Sequence, residues 1–346
     1  MRSLVTGHHG YIGSVVSPLL YEAGHEVVGL DAFLYRGCDL GPEGSFPFEE
    51  REGDVRDVRA ADVEGFEAVV HLAALSNDPL GNLDPRLTSS VNLDGTLSLA
   101  RAAREAGVER FVLASTCSMY GAAEEDDLLD EEAPLRPLTP YAESKARAEE
   151  GLTELAGGSF SPVYLRSATA YGASPRLRLD VVLNNLVGWA FTTGAIRLLS
   201  DGSSWRPIVH VRDIGRAILA VLEAPRERVH GRAFNVGATA ENYRVRELAE
   251  LVHEQLPECA VEVARASYSD PRSYRVDFGR FERAFPGHAP ERTAREGVAE
   301  LIGAYRRAGL TFDEFDGDRY TRLRRVRRLL DEGALDAELR RAGASR

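Results

Sequence analysis

The chain has 346 residues, 44% of them apolar and 28% charged, which suits a folded globular protein of two domains or one large one. Its 42 Lys and Arg stand against 54 Asp and Glu, and the net charge of −12 repels nucleic acid and anionic lipid, so neither is expected as a main partner. Cys38, Cys117 and Cys259 are an odd set without CxxC spacing, which argues against a disulfide framework or a structural zinc site, and no metal is expected.

In chain order, Ser3–Thr6 reads as a strand, followed by a glycine turn and a helix over Tyr11–Ala23. Glu26–Leu30 is a second strand, closed by Asp31. A third strand-like run ends before Asp54 and Val55. Ala68–Leu72 and Phe111–Ala114 are continuous apolar runs of strand length, as in strands buried on both faces of a parallel sheet. Between them the pattern predicts one long helix over Leu83–Ala106. Strand alternating with helix implies a doubly wound α/β sheet. Beyond Arg166 the pattern loosens. Helices are expected around Asp180–Phe191 and Arg212–Leu222, with a short strand at Phe234–Val236 before Gly237. Arg319–Arg328 is Arg-rich at near-helical spacing. It reads as an amphipathic helix whose arginines are solvated or meet the acidic surface, the other reading being a polyanion site. No window approaches the roughly 18 uninterrupted apolar residues of a membrane span. The start, MRSLVTGHHG, lacks a signal-peptide pattern, so the cytoplasm is the expected location.

Thr6-Gly-His-His-Gly-Tyr-Ile-Gly13 is a strand–glycine–helix junction. Gly7 and Gly10 permit a tight turn and close backbone approach, and Gly13 lets the helix pack on the sheet. The helix N-terminus then offers free N–H groups to a pyrophosphate. Asp31, 18 residues after Gly13, ends the next strand, where a carboxylate accepts ribose hydroxyls and repels a 2′-phosphate. That favours NAD over NADP, with Arg36 nearby as the contrary signal. Tyr141 and Lys145 are four residues apart and share a helix face. A lysine ammonium beside a phenol favours the phenolate, which can accept a proton from a hydroxyl.

The glycine turn, His71-Leu72-Ala73-Ala74, Asn92, the Ser115–Gly121 segment and Tyr141-Ala-Glu-Ser-Lys145 stand in one order. Together they resemble the extended short-chain dehydrogenases/reductases that modify nucleotide sugars: UDP-galactose 4-epimerase, the 4,6-dehydratases and their relatives. The resemblance covers most of the chain and weakens beyond about Ala260. It implies a Rossmann-type doubly wound parallel sheet with a smaller C-terminal α/β substrate domain. The NAD-binding domain would span residues 1–166, with the chain returning to it at about 207–236. The substrate domain would take 167–206 and 237–346. NAD would be held by Gly7, Gly10, Tyr11, Ile12 and Gly13, by Asp31, Asp54 and Val55, and by Leu72, Ala73, Ala74 and Asn92, with Tyr141 and Lys145 at the nicotinamide ribose. Asn185, in an Asn-Asn-Leu segment, resembles a contact to the substrate pyrophosphate. Arg206, which opens an R-x-x-x-H-V-x-D stretch, and Arg272 resemble phosphate-binding arginines. Phe234–Gly237 matches the family's "NVG". The helices over Leu83–Ala106 and Tyr141–Leu155 commonly pair across a homodimer in this family.

Counting back from Tyr120-Gly121, Thr116 falls where the 4-epimerases carry the Ser or Thr that bonds the reacting hydroxyl. Cys117 and Ser118 fall where the 4,6-dehydratases carry an Asp-Glu pair, and neither replaces both acids. Cys117 and Ser118 are further catalytic candidates, with a packed thiol the alternative for Cys117. His210, in an apolar stretch, reads as structural rather than as an acid. Thr169 stands where relatives often carry an Asn that contacts substrate. Arg176 and Arg178 are candidate phosphate or sugar contacts, each equally well explained as part of a solvated loop. The resemblance therefore points to an NAD-dependent nucleotide-diphosphate-sugar epimerase, an isomerase of carbohydrate biosynthesis acting at C4 through a 4-keto sugar, with Tyr141, Lys145 and Thr116 as catalytic residues. The alternatives are a 4-dehydrogenase/reductase, an atypical dehydratase, and a non-catalytic NAD-binding protein.

Overall fold

The apolar runs without alternation lie side by side. In the computed structural model they form the middle of one seven-stranded, wholly parallel sheet. Its strands are β1 (Arg2–Thr6), β2 (Glu26–Asp31), β3 (Glu49–Glu52), β4 (Ala68–His71), β5 (Arg110–Thr116), β6 (Ser161–Ser167) and β7 (Arg232–Val236). Their order is β7-β6-β5-β4-β1-β2-β3, a Rossmann-type doubly wound sheet. The order reverses beside β1, so the crevice at the C-terminal ends of β1 and β4 is the place where this topology receives a ligand. The edge strand β3 reads Glu-Glu-Arg-Glu, and its charge discourages pairing with another sheet. The structure describes every residue except 43, 77–80, 82, 125–126, 264–271 and 342–346.

Helices cover both faces. On one side α1 (Gly13–Glu22) packs with the helix over Val211–Glu223. There Ile214, Ala217, Ile218 and Val221, at spacing i, i+3, i+4, i+7, meet Val16 and Leu20. On the other side lie α2 (Gly95–Glu105) and α3 (Pro140–Leu155), where Leu99, Ala103, Ala148 and Leu152 pack on Leu4, Val69 and Phe111. The predicted helix over Leu83–Ala106 is not one uniform α-helix. Pro85–Ser89 and α2 are joined by a π-helical turn over Ser90–Asp94, which periodicity alone reads as ordinary helix.

A second core lies beyond the sheet. It gathers α4 (Val182–Thr193) and the helices over Val245–Gln255 and Ala294–Ala308, with Leu183, Leu186, Leu248, Val252, Val298 and Leu301 buried. Beside it run a three-stranded sheet of Thr169–Tyr171, Trp205–His210 and Asn242–Arg244, and a strand pair of Ala195–Leu198 with Ala260–Val263. The Arg-rich C-terminal segment is helical over Arg322–Asp331 (α5), as its periodicity predicts. Its buried face is Arg322, Val326 and Leu329, so one of its arginines points inward. No helix among the described residues is long and apolar enough to cross a membrane.

Candidate active site

A cavity of about 640 Å³ opens at the C-terminal ends of the central strands. At its floor the chain leaves β1 and turns at Gly7, φ +74°, whose N–H donates to Leu30 O at 2.8 Å. A Cβ at Gly7 would lie 2.6 Å from the Ala73 nitrogen, and one at Gly13 would strike the Gly7 carbonyl, so neither position admits a side chain. The turn delivers the start of α1 to the cavity. Ile12, at its N-cap, offers no side-chain acceptor, and Gly10, Tyr11, Ile12 and Gly13 line the space. The positive end of the helix therefore faces the space, the arrangement that holds a pyrophosphate. Tyr11 has its hydroxyl engaged, donating to Gly172 O at 2.8 Å.

Asp31 leaves β2 at the same end. Its Oδ2 accepts the His9 N–H at 3.0 Å and its Oδ1 the Phe33 N–H at 2.7 Å, which fixes the carboxylate at the cavity wall. Burial pushes its pKa up, while the charge of His8 and the two amide hydrogen bonds pull against that. Such a group receives ribose hydroxyls and disfavours a 2′-phosphate. Arg36, the contrary signal for NADP, stacks 4.2 Å over the Phe33 ring and pairs with Glu52. Asp54 and Val55 follow β3 and line the cavity. The Asp54 carboxylate, however, is taken by the Arg56 backbone and guanidinium. Leu72, Ala73 and Ala74 follow β4 and complete the floor. The cradle, the fixed carboxylate and the cavity fit a dinucleotide.

Asn92 is placed otherwise than a cofactor contact. It is fully buried on the π-helical turn. Its Oδ1 accepts Leu75 N–H at 2.8 Å, and its Nδ2 donates to Leu75 O and to Ser144 Oγ. Its amide is spent in clamping the Leu75 loop to α3, and Leu75, not Asn92, faces the cavity.

At the other end, α3 begins at Thr139, whose hydroxyl accepts Ala142 N–H at 3.2 Å, with Pro140 in the first helical position. That start places Tyr141 at the cavity wall, with Lys145 and Glu149 one and two turns on. Lys145 is 1% exposed. Burial lowers its pKa to about 8, and the Glu149 carboxylate acts in the opposite direction. Glu149 is held by Ser115 Oγ at 2.5 Å and by Arg166, whose Nη2 lies 2.7 Å from Oε2. Thr116 ends β5 at the cavity. Its hydroxyl donates to Ser118 Oγ at 3.0 Å and accepts Ser118 N–H at 3.1 Å. Ser118 also lines the space. Cys117 does not. Its Sγ lies 3.0 Å from Arg166 O in the core, and burial pushes the thiol well above its usual range, which disfavours the thiolate. His210 is structural: it caps the helix over Val211–Glu223 by accepting Arg212 N–H and meets Glu300 at 2.5 Å.

The outer part of the cavity gathers Thr169, Asn185, Arg206 and Arg272. Asn185 donates to Leu179 O at 2.8 Å, and Arg206 donates to Trp205 O and to Arg272 O, which brings the two arginines together. Arg176 and Arg178 are both buried, which overturns the solvated-loop reading for each. Arg176 pairs with Asp39, and its Nε donates to His9 Nδ1 at 3.1 Å. Arg178 lines the cavity, 2.8 Å from Asp180 and 3.3 Å from Ser76 Oγ. Sequence reasoning missed Arg322 and Leu339, which line the same cavity from the far C-terminus. The inward, apolar-face position of Arg322 within its heptad-like spacing was the available signal.

The chain belongs to the NAD dependent epimerase/dehydratase family, matching it over residues 3–237. Among individual proteins, it is 30% identical over 325 residues to a UDP-glucose 4-epimerase of Corynebacterium glutamicum, covering 88% of this chain and 95% of that one. It is 32% identical over 315 residues to a dTDP-glucose 4,6-dehydratase of Streptomyces griseus, covering 87% and 93%. Among solved structures, the dTDP-glucose 4,6-dehydratase DesIV from Streptomyces venezuelae, with NAD and TYD bound, superimposes with a TM-score of 0.79 at 29% identity, covering 91% of this chain and all of that one.

Proposed function

We propose that this protein is an NAD-dependent nucleotide-diphosphate-sugar epimerase that inverts C4 of the sugar. The observation that carries the reading is local. Thr116 and Tyr141 face one cavity with the glycine cradle and Asp31, while Cys117, at one of the two dehydratase acid positions, is turned into the core. What the nicotinamide supplies when bound is reversible two-electron oxidation of the sugar carbon. Tyr141 takes the hydroxyl proton as that carbon is oxidised and returns it afterwards. Lys145, charged below about pH 8, stabilises the phenolate, and Thr116 holds the reacting oxygen. The 4-keto sugar turns over between the two half-reactions, and no cofactor is consumed.

Thr169, Asn185, Arg206 and Arg272 would hold the nucleotide sugar, with the paired arginines on its diphosphate. In this division residues 1–166, with the return at 207–236, carry the cofactor, and residues 167–206 and 237–346 carry the substrate. α2 and α3 are the expected faces of a homodimer, and the cytoplasm the expected location. The test is a panel of ADP-, GDP-, UDP-, CDP- and dTDP-sugars without added NAD. A C4-inverted product supports the epimerase. A requirement for stoichiometric NAD+ or NADH points to the 4-dehydrogenase/reductase, and loss of water to a dehydratase.

A further inference from the structure

The Arg-rich C-terminus is left unexplained by the catalytic reading, and it ends on the cavity. After α5 the chain makes a tight turn over residues 335–341, closed by a bridge between Leu335 and Arg341. Asp336 builds the turn, its Oδ1 accepting the N–H groups of Glu338 and Arg340, both at 2.9 Å. The turn drives Leu339 into the left-handed region, φ +59°, an unfavourable conformation for a branched side chain. Leu339 is nonetheless 4% exposed and forms part of the cavity wall.

Phe33 is the other non-glycine residue with positive φ among the described residues, at +51°. The two are tied together. Arg341 Nη2 donates to Phe33 O at 2.7 Å and Nε to Ala32 O at 3.2 Å, and the same guanidinium pairs with Glu52 at 2.9 Å. Arg340 pairs with Asp57 and reaches Asp54 at 3.9 Å. Upstream, Arg325 donates to Arg36 O at 3.1 Å. Arg322 stacks 3.9 Å over Tyr35 and borders the cavity with a buried Nη1 that has no protein partner. Leu335 and Leu339 join Val326 and Leu329 in an apolar cluster against Leu75. These tethers land on the loop after β2, on the end of β3 and the loop after it, and on the Asn92-clamped Leu75 loop, while Arg322 Nη2 also donates to Arg176 O at 3.1 Å. Those loops surround Asp31 and Asp54, the adenosine end of the cavity.

We propose that residues 335–341 are a strap that closes the adenosine end of the dinucleotide site and sets how slowly the cofactor leaves. The inference rests on the reading that Asp31 marks that end. Strain at two opposed residues persists where surrounding contacts over-determine it, and here those contacts span the site. A single half-exposed ion pair holds little, so the closure depends on Arg340, Arg341 and Leu339 together. This arrangement fits an epimerase that keeps one cofactor through many turnovers.

The test measures NAD+ binding and release by the full-length protein, with thermal unfolding of each variant as a folding control. Arg340→Glu combined with Arg341→Glu should speed release by about tenfold or more, since changes in affinity at one site fall mainly on the off-rate. Leu339→Gly, which relieves the backbone and uncovers the cavity while keeping the ion pairs, should speed it by at least about threefold. It decides the matter if the charge-reversed protein does not fold. Raising salt from about 0.05 M to about 0.5 M should speed release from the wild type, because the tethers to Glu52 and Asp57 are half-exposed. Release within about twofold of wild type in the folded variants would overturn the strap and leave the cofactor reading intact. A wild-type protein that takes up no NAD+ would overturn the cofactor reading itself.

Discussion

The two ends of the cavity are built in different ways. At the reacting end, Thr116 stands on β5 and Tyr141 on α3, and Lys145 is supported by a buried Glu149–Arg166–Ser115 network. At the adenosine end, loops after β2 and β3 are held by half-exposed arginines from a segment nearly 300 positions away. The difference follows from the roles proposed for the two ends. Proton transfer needs reacting atoms held within a few tenths of an ångström, which regular elements and buried networks supply. Retention of a cofactor needs only that an exit stay shut, and screened surface contacts acting together suffice.

This contrast predicts separable losses. The largest is Tyr141→Phe, which should lower kcat by about 10²–10⁴-fold, the usual worth of a positioned acid/base. A kcat within a few-fold of wild type would remove Tyr141 from the proton transfer. Glu149→Gln comes next. It leaves Arg166 without its buried partner, at a cost of about 3–5 kcal/mol of stability, read as a fall in Tm. It also removes the charge that opposes the lowering of the Lys145 pKa. Wild-type kcat/KM should fall as pH rises past about 8, where Lys145 loses its charge, and in the variant that fall should begin at lower pH. Glu149→Asp should restore much of the wild-type profile. An unshifted profile would assign Glu149 to packing alone. The smallest effect belongs to Cys117→Ala, which should leave turnover near wild type because the thiol faces Arg166 in the core. A large loss of kcat there would restore Cys117 as a catalytic group.

What could be read from the sequence were the parts fixed by local geometry. The glycine turn requires a positive φ and close approach at named positions, and the i, i+4 spacing of Tyr141 and Lys145 needs only a helix. Asp31 reads from the end of its strand and Thr116 from its count back from Tyr120-Gly121 in the family resemblance, and the parallel register brings both strand ends to the cavity. The parts that stayed hidden depend on distant partners. Nothing local to Arg176 shows that Asp39 and His9 bury it, and nothing local to Leu339 shows that it packs with Leu75 and lines the cavity. Asn92 was found but its role was not. Helical periodicity does not show a π-helical turn, and that turn gives its amide to Leu75. Cys117 was ambiguous because it begins a short 3₁₀ turn, where strand alternation no longer says which way a side chain points.

The most direct test of the central claim follows the hydrogen at C4. A nucleotide sugar accepted by the purified protein, deuterated at C4 and incubated in ordinary water without added NAD, should become its C4 epimer with the label retained at C4 and no water lost. Loss of water with solvent hydrogen entering the sugar, or product formed only in proportion to added cofactor, would contradict the account.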